Sequence, residues 1–123
     1  MSSHRTKAWP LSALGREPDV ECAAETVAPF LEDAAHYPGG HTIGVARPCS
    51  EAEIATLMHG GDRLLPVGVQ SSLTGGATPM GELIVSTSRL NRIVTISKQE
   101  VTVQPGIPLA VLQEAVGRYG AFY

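Results

Sequence analysis

The chain has 123 residues, of which 43% are hydrophobic and 17% charged, with a formal net charge of -3. That balance suits one packed domain and excludes a disordered segment, while the mixing of acidic and basic residues, with no basic stripe, argues against a nucleic acid partner. No apolar run approaches the ~20 residues of a membrane-spanning helix, and the basic opening MSSHRTKAW is interrupted by Pro10, Gly15, Arg16 and Glu17 where a secretory signal needs an apolar run. A soluble, cytoplasmic protein is the expectation.

Met1 to Asp19 shows no helical or strand periodicity and reads as a loose leader, pinned to the body by Trp9. Val20 to Ala35 turns to Ala, Glu, Val and Leu, which favours helix, and Pro29 divides it into two short pieces. His36-Tyr37-Pro38-Gly39-Gly40-His41 is a turn cluster. Its two histidines have no third ligand spaced to complete a metal site, and none is expected. Cys22 and Cys49 lie far apart without CxxC spacing and read as free, partly buried thiols.

Thr42 to Arg47 reads as a strand, ended by Pro48. Ser50-Glu51-Ala52-Glu53 has the form of a capping box, in which the Ser50 hydroxyl and the Glu53 carboxylate accept from each other's backbone amides. Ile54, Leu57 and Met58 then supply an apolar helix face, and Gly60-Gly61 stops it. Glu51 and Glu53 suit the helix dipole better than a catalytic carboxylate pair.

Arg63 to Val67 and Glu82 to Ser86 read as strands, the second with the continuous Leu83-Ile84-Val85 run of a covered strand. Ile93 to Ile96 and Glu100 to Gln104 pattern as a hairpin. Pro105-Gly106 ends it, and Pro108 begins a helix that buries Leu109, Leu112 and Val116. After Gly120 the residues Ala121, Phe122 and Tyr123 are apolar, so another element is expected to follow.

Between two of these strands lies PVGVQSSLTGGATP, residues 66–79. Gly68, Gly75 and Gly76 allow positive φ or close ligand approach, and Ser71, Ser72 and Thr74 add hydroxyl donors, so the stretch reads as a phosphate-cradling turn built on backbone amides. The same composition also makes an ordinary surface connection. It lacks the lysine of a nucleoside triphosphatase P-loop, and it leads to a strand where a Rossmann loop opens a helix. No Gly-x-Ser-x-Gly elbow occurs, so no nucleophile is assigned.

Four segments in order resemble the start of the FAD-binding domain of the p-cresol methylhydroxylase and vanillyl-alcohol oxidase superfamily, closest to its glycolate oxidase and D-lactate dehydrogenase-like branch. These are Ala46-Arg47-Pro48 with Ser50 to Ile54; Pro66 to Gly76, similar to the family's P-R-G-G-G-T-S-L-T-G-G loop around the FAD pyrophosphate; Ser88 to Ile93; and Val101 to Gly106 with Leu109 and Leu112. The resemblance departs at Val69 and Gln70, where the family often has glycines; Gln70 also stands where some members carry a flavin-linking histidine, which implies noncovalent FAD.

The resemblance implies an α/β (α+β) fold, the first subdomain of such a domain, with a small mixed sheet and flanking helices, truncated. Residues 1–40 would be a leader with short helices and 41–123 the partial FAD-binding domain. It implies cofactor contacts from Val67, Gly68, Val69, Gln70, Ser71, Ser72, Leu73, Gly76, Pro105 and Gly106, with no catalytic residue in this chain. The implied activity is oxidation of a small substrate, such as a 2-hydroxy acid, by hydride transfer to FAD, with substrate contacts in a C-terminal domain or a partner chain. The alternative is a non-catalytic remnant or a stand-alone module that binds a nucleotide or a partner.

Overall fold

A computed structural model describes residues 13–123. Trp9 and the rest of residues 1–12 lie outside them. The elements in order are β1 (Val20–Glu21), α1 (Ala24–Val27), a 3-10 turn (Ala28–Phe30), β2 (Gly44–Ala46), α2 (Glu51–His59), β3 (Leu64–Val67), β4 (Leu83–Ser86), β5 (Ile93–Ile96), β6 (Val101–Val103) and α3 (Leu109–Gly117). The four-stranded sheet has the order β1-β2-β4-β3, with β2, β4 and β3 parallel and β1 antiparallel at one edge. Strands β5 and β6 form a separate antiparallel hairpin. This is the expected small mixed sheet with flanking helices.

The sheet is central because β4 is paired on both edges and covered on both faces. Leu83 and Val85 point to one side, where they meet Ala46, Leu57 of α2 and Leu64. Ile84 points to the other, against Val45, Val67, Leu65, Val27 and Phe30. A strand covered on both faces needs an unbroken apolar run, which Leu83-Ile84-Val85 supplies.

Helix α2 starts at the expected cap: the Glu53 amide donates to Ser50 Oγ at 3.2 Å. The return bond differs from the expected box, because the Glu53 carboxylate accepts from the Cys49 amide at 2.7 Å, one residue upstream of Ser50. The buried face also differs. Ala55 and Leu57 are the buried residues, whereas Met58 is 68% exposed, since the sheet covers only a narrow stripe of this short helix.

The stretch before β2 is more structured than its composition suggests. Val20 and Glu21 pair with Ala46 and Val45 as an edge strand where helix is the expectation. Two short helical pieces follow, with Pro29 inside the first turn of the second. Residues 13–19 are also not loose: the Gly15 amide donates to the Ala52 carbonyl at 3.0 Å, Thr56 Oγ1 donates to the Gly15 carbonyl at 2.9 Å, and Pro18 is buried. Both cysteines are exposed, not partly buried.

At the other end of the chain, Pro108 is the residue before α3, with ψ 136, so it caps the helix where a first-turn place is the expectation. Only Leu112 and Val116 of its apolar face are buried, and Leu109 is left 55% exposed at the helix start. Among the described residues no helix is long and apolar enough to cross a membrane.

Ile84, fully buried and central to one core layer, should lose about 2–5 kcal/mol of stability on truncation to alanine. Val94, 61% exposed in the hairpin, should lose less than about 1 kcal/mol on the same change. Urea unfolding of Ile84→Ala and Val94→Ala checks both.

Candidate functional site

In a parallel sheet, ligands collect beyond the carboxyl ends of the strands, where the connecting loops leave a crevice. Here β3 ends at Val67 and runs directly into the glycine-rich turn, and its neighbour β4 ends at Ser86 and runs into Thr87-Ser88. A cleft of about 670 Å³ opens at that point, within the size range of small-molecule sites. Three stretches line it, Pro66 to Ser72 with Ala77, Thr87 with Ser88, and Pro105 to Leu109.

Of the residues implicated by the sequence, Val67, Gly68, Val69, Gln70, Ser71, Ser72, Pro105 and Gly106 line this cleft. Leu73 and Gly76 stand outside its lining, and Leu73 is 78% exposed further along the loop. Val69 is 91% exposed at the lip, so its side chain leans into solvent and does not fill the cleft. The hydroxyls of Ser71, Ser72, Thr87 and Ser88 add polar groups to the lining.

The distinctive feature is in the backbone. Among the described residues, the N–H groups of Gly68 through Leu73 donate to no protein acceptor; the first amide of the loop to do so is Thr74, to Ser72 Oγ at 3.3 Å. Successive backbone N–H groups without a protein acceptor, beside a cleft, can receive an anion. No cation is needed, and among the described residues no lysine or arginine lines this cleft.

The turn keeps this form through an unexpected residue. Positive φ falls on Gln70 (φ 52) and Gly75 (φ 79), and not on Gly68 or Gly76. Left-handed backbone costs a residue with a side chain roughly 1–2 kcal/mol, so Gln70 must be held there. Its side-chain amide donates to the carbonyls of Phe30 and Ala77, each at 2.8 Å, and its own carbonyl accepts from the Ala34 amide at 2.9 Å. The side chain is therefore committed to the protein and turned away from the cleft.

Asp33 completes the support, and nothing in the sequence singled it out. It is buried; its Oδ1 accepts from the Ala35 amide at 3.0 Å, its Oδ2 from the Ala77 amide at 3.3 Å, and its own amide donates to Thr78 Oγ1 at 3.2 Å. Burial alone would raise its pKa. The amides of Ala77 and Ala35 and the hydroxyls of Ser72 and Thr78 outweigh burial and hold the carboxyl below its ordinary value. The only sequence signal is an aspartate two residues before a free amide, the pattern of an Asx turn.

Gly106 answers a different need. A Cβ built there would lie 1.8 Å from the Thr87 carbonyl oxygen, and its amide donates to the Leu90 carbonyl at 2.7 Å. Its lack of a side chain lets the Pro105-Gly106 wall close on the Thr87–Leu90 connection. Gly75 is similarly confined, with a would-be Cβ 2.9 Å from the Tyr37 ring.

A second depression, about 520 Å³, is lined by Arg16, Arg47 and Arg89 together with Asp19, Glu21 and Glu53. Its charges pair among themselves, Arg16 with Asp19 and Arg47 with Glu21, and Arg89 helps to hold the Glu53 carboxyl down after the Cys49 amide. The glycine-loop cleft, at the carboxyl ends of the parallel strands β3 and β4, is the candidate. Among the described residues no group of three or more His, Cys, Asp or Glu side chains is placed to hold a metal ion.

A family model described as an FAD binding domain matches residues 42–123, well over half of the chain. No curated protein matches it.

Two outcomes follow from these contacts. Gly106→Ala should destabilise the chain by about 3 kcal/mol or more, measured by urea unfolding, because both clashing carbonyls belong to backbone. Asp33, Glu53 and Glu82 are all held below their ordinary values of 3.8 and 4.5. Their contributions are present above those values and are lost as the pH falls below them, since the unfolded chain then binds more protons. Stability followed by circular dichroism should therefore drop below about pH 4, with a shallower acid limb in Asp33→Asn.

Proposed function

The chain belongs to the FAD binding domain family, and we propose that its cleft at the ends of β3 and β4 holds the diphosphate of FAD, noncovalently, as the cofactor-holding part of a flavin-dependent oxidoreductase. The observation that carries this reading is the row of unsatisfied amides from Gly68 to Ser72 along the cleft. A diphosphate brings negative oxygens that take such donors, in a site with no cation to compete.

The residues present fit that group. The amides of Gly68 to Ser72 and the Ser71 and Ser72 hydroxyls would take phosphate oxygens, and Gly68 leaves open space at the backbone, with nothing within 4 Å of a would-be Cβ. Pro105 and Gly106 would shape the adenosine side, where Ile107 and Leu109 add apolar surface. Leu73 and Gly76 receive no contact in this reading. Noncovalent binding is supported by Gln70, which carries no nucleophile and whose amide is already engaged on Phe30 and Ala77.

When bound, FAD supplies a ring that accepts a hydride. This chain's residues hold the cofactor and orient its diphosphate, and no side chain here is assigned a part in the hydride step. The resemblance to the glycolate oxidase and D-lactate dehydrogenase-like branch favours a small 2-hydroxy acid as substrate, contacted by residues outside this cleft.

Titration of the purified chain with FAD, followed by flavin fluorescence, tests the reading. Saturable binding is expected, weakened about tenfold or more in Gly68→Asp, which sets a carboxylate beside the free amides without a clash. Gly68→Ala should bind within a few-fold of the parent. A folded chain that shows no saturable binding, or a Gly68→Asp variant that binds as well as the parent, contradicts it.

A further inference from the structure

The turn that presents the free amides is held from outside the segment that the family model matches. That segment begins at residue 42, yet Gln70 is held by Phe30 and Ala34 as well as by Ala77, and the end of the loop by Asp33. We propose that Asp33 is a positioning residue for the diphosphate site, and that the working cofactor cradle therefore begins at Phe30. The proposal rests on the FAD reading above.

The geometry runs through one carboxylate that joins both limbs of the loop. Through Oδ1 it closes a local turn on the Ala35 amide, which places the neighbouring Ala34 amide to donate to the Gln70 carbonyl at 2.9 Å. Through Oδ2 it takes the Ala77 amide, while its own amide reaches Thr78 Oγ1. The entering limb at Gln70 and the returning limb at Ala77–Thr78 are thus tied to the same short segment, the first by the Ala34 amide and the second by Asp33. With the tie in place, the Ala77 donor is used internally and the donors of Gly68 to Ser72 are left for the ligand.

A buried carboxylate this close to a diphosphate acts in two opposed ways, and they are separable. As a charge it repels the anion, so its neutralisation would tighten binding. As a positioning group it shapes the donors, so its loss weakens binding. Its oxygens already accept from the amides of Ala35 and Ala77, which leaves the positioning effect dominant.

The test compares Asp33→Asn with the parent by flavin fluorescence titration with FAD and by amide hydrogen exchange of the ligand-free chain. Leu57→Ala, a core change under α2 remote from the loop, controls for lost stability. The expected result is at least tenfold weaker FAD binding in Asp33→Asn, with faster exchange across residues 68–78, while Leu57→Ala keeps its affinity within about twofold. Unchanged or tighter binding in Asp33→Asn, or an equal loss in Leu57→Ala, overturns the proposal. If the parent does not bind FAD, the FAD reading fails separately; loop exchange then decides, and unchanged exchange in Asp33→Asn overturns the positioning role.

Discussion

The amides of Gly68 to Ser72, in the turn after β3, donate to no acceptor among the described residues, so their demand for one falls to water or a ligand. That unmet demand is what the surrounding structure maintains. The parallel pairing of β3 with β4 fixes where the turn starts and brings Thr87 and Ser88 beside it. Gln70, in left-handed backbone, reverses the chain at the cost of strain, and its side chain and carbonyl are held by Phe30, Ala77 and Ala34. The Pro105-Gly106 stretch approaches closely because Gly106 has no side chain to meet the Thr87 carbonyl. Each of these features bears on the loop, whose free donors are the basis of the proposed diphosphate contact.

The reliance on backbone explains how the site functions without charged side chains. Free amides are fixed by the main chain and lose no side-chain freedom on binding, so the orientation of a ligand's phosphates follows the fold directly. It also explains why a valine is tolerated at position 69: only its amide is needed in the cleft, and the side chain stands 91% exposed. The paired arginines and carboxylates near the start of α2 contrast with this, since their charges are spent on one another.

Much of the frame is legible in the sequence because it is local. Ser50 followed by Glu53 marks the start of α2, Leu83-Ile84-Val85 marks a strand covered on both faces, and Pro105-Gly106 marks the turn into α3. The glycine-rich stretch is legible as a turn between two strands for the same reason. What sequence alone does not disclose is non-local. Val20–Glu21 looks helical by composition and becomes an edge strand because β2 offers an unpaired edge. Leu109 and Met58 fit an apolar periodicity, but the layers they would pack against do not extend that far. Asp33 and Gln70 are ordinary polar residues until the fold brings Asp33 to Ala77 and Gln70 to Phe30, across separations that no periodicity records.

The central claim is that the free amides of one turn receive the cofactor's diphosphate. The most direct measurement is the backbone amide NMR spectrum of the isotopically labelled chain, titrated with FAD. The account predicts that the largest shifts fall on Gly68 to Ser72, with smaller ones at Thr87, Ser88 and Gly106 on the other lining stretches. Shifts centred on Arg16, Arg47 and Arg89 instead, or a spectrum unmoved by saturating FAD, would contradict it.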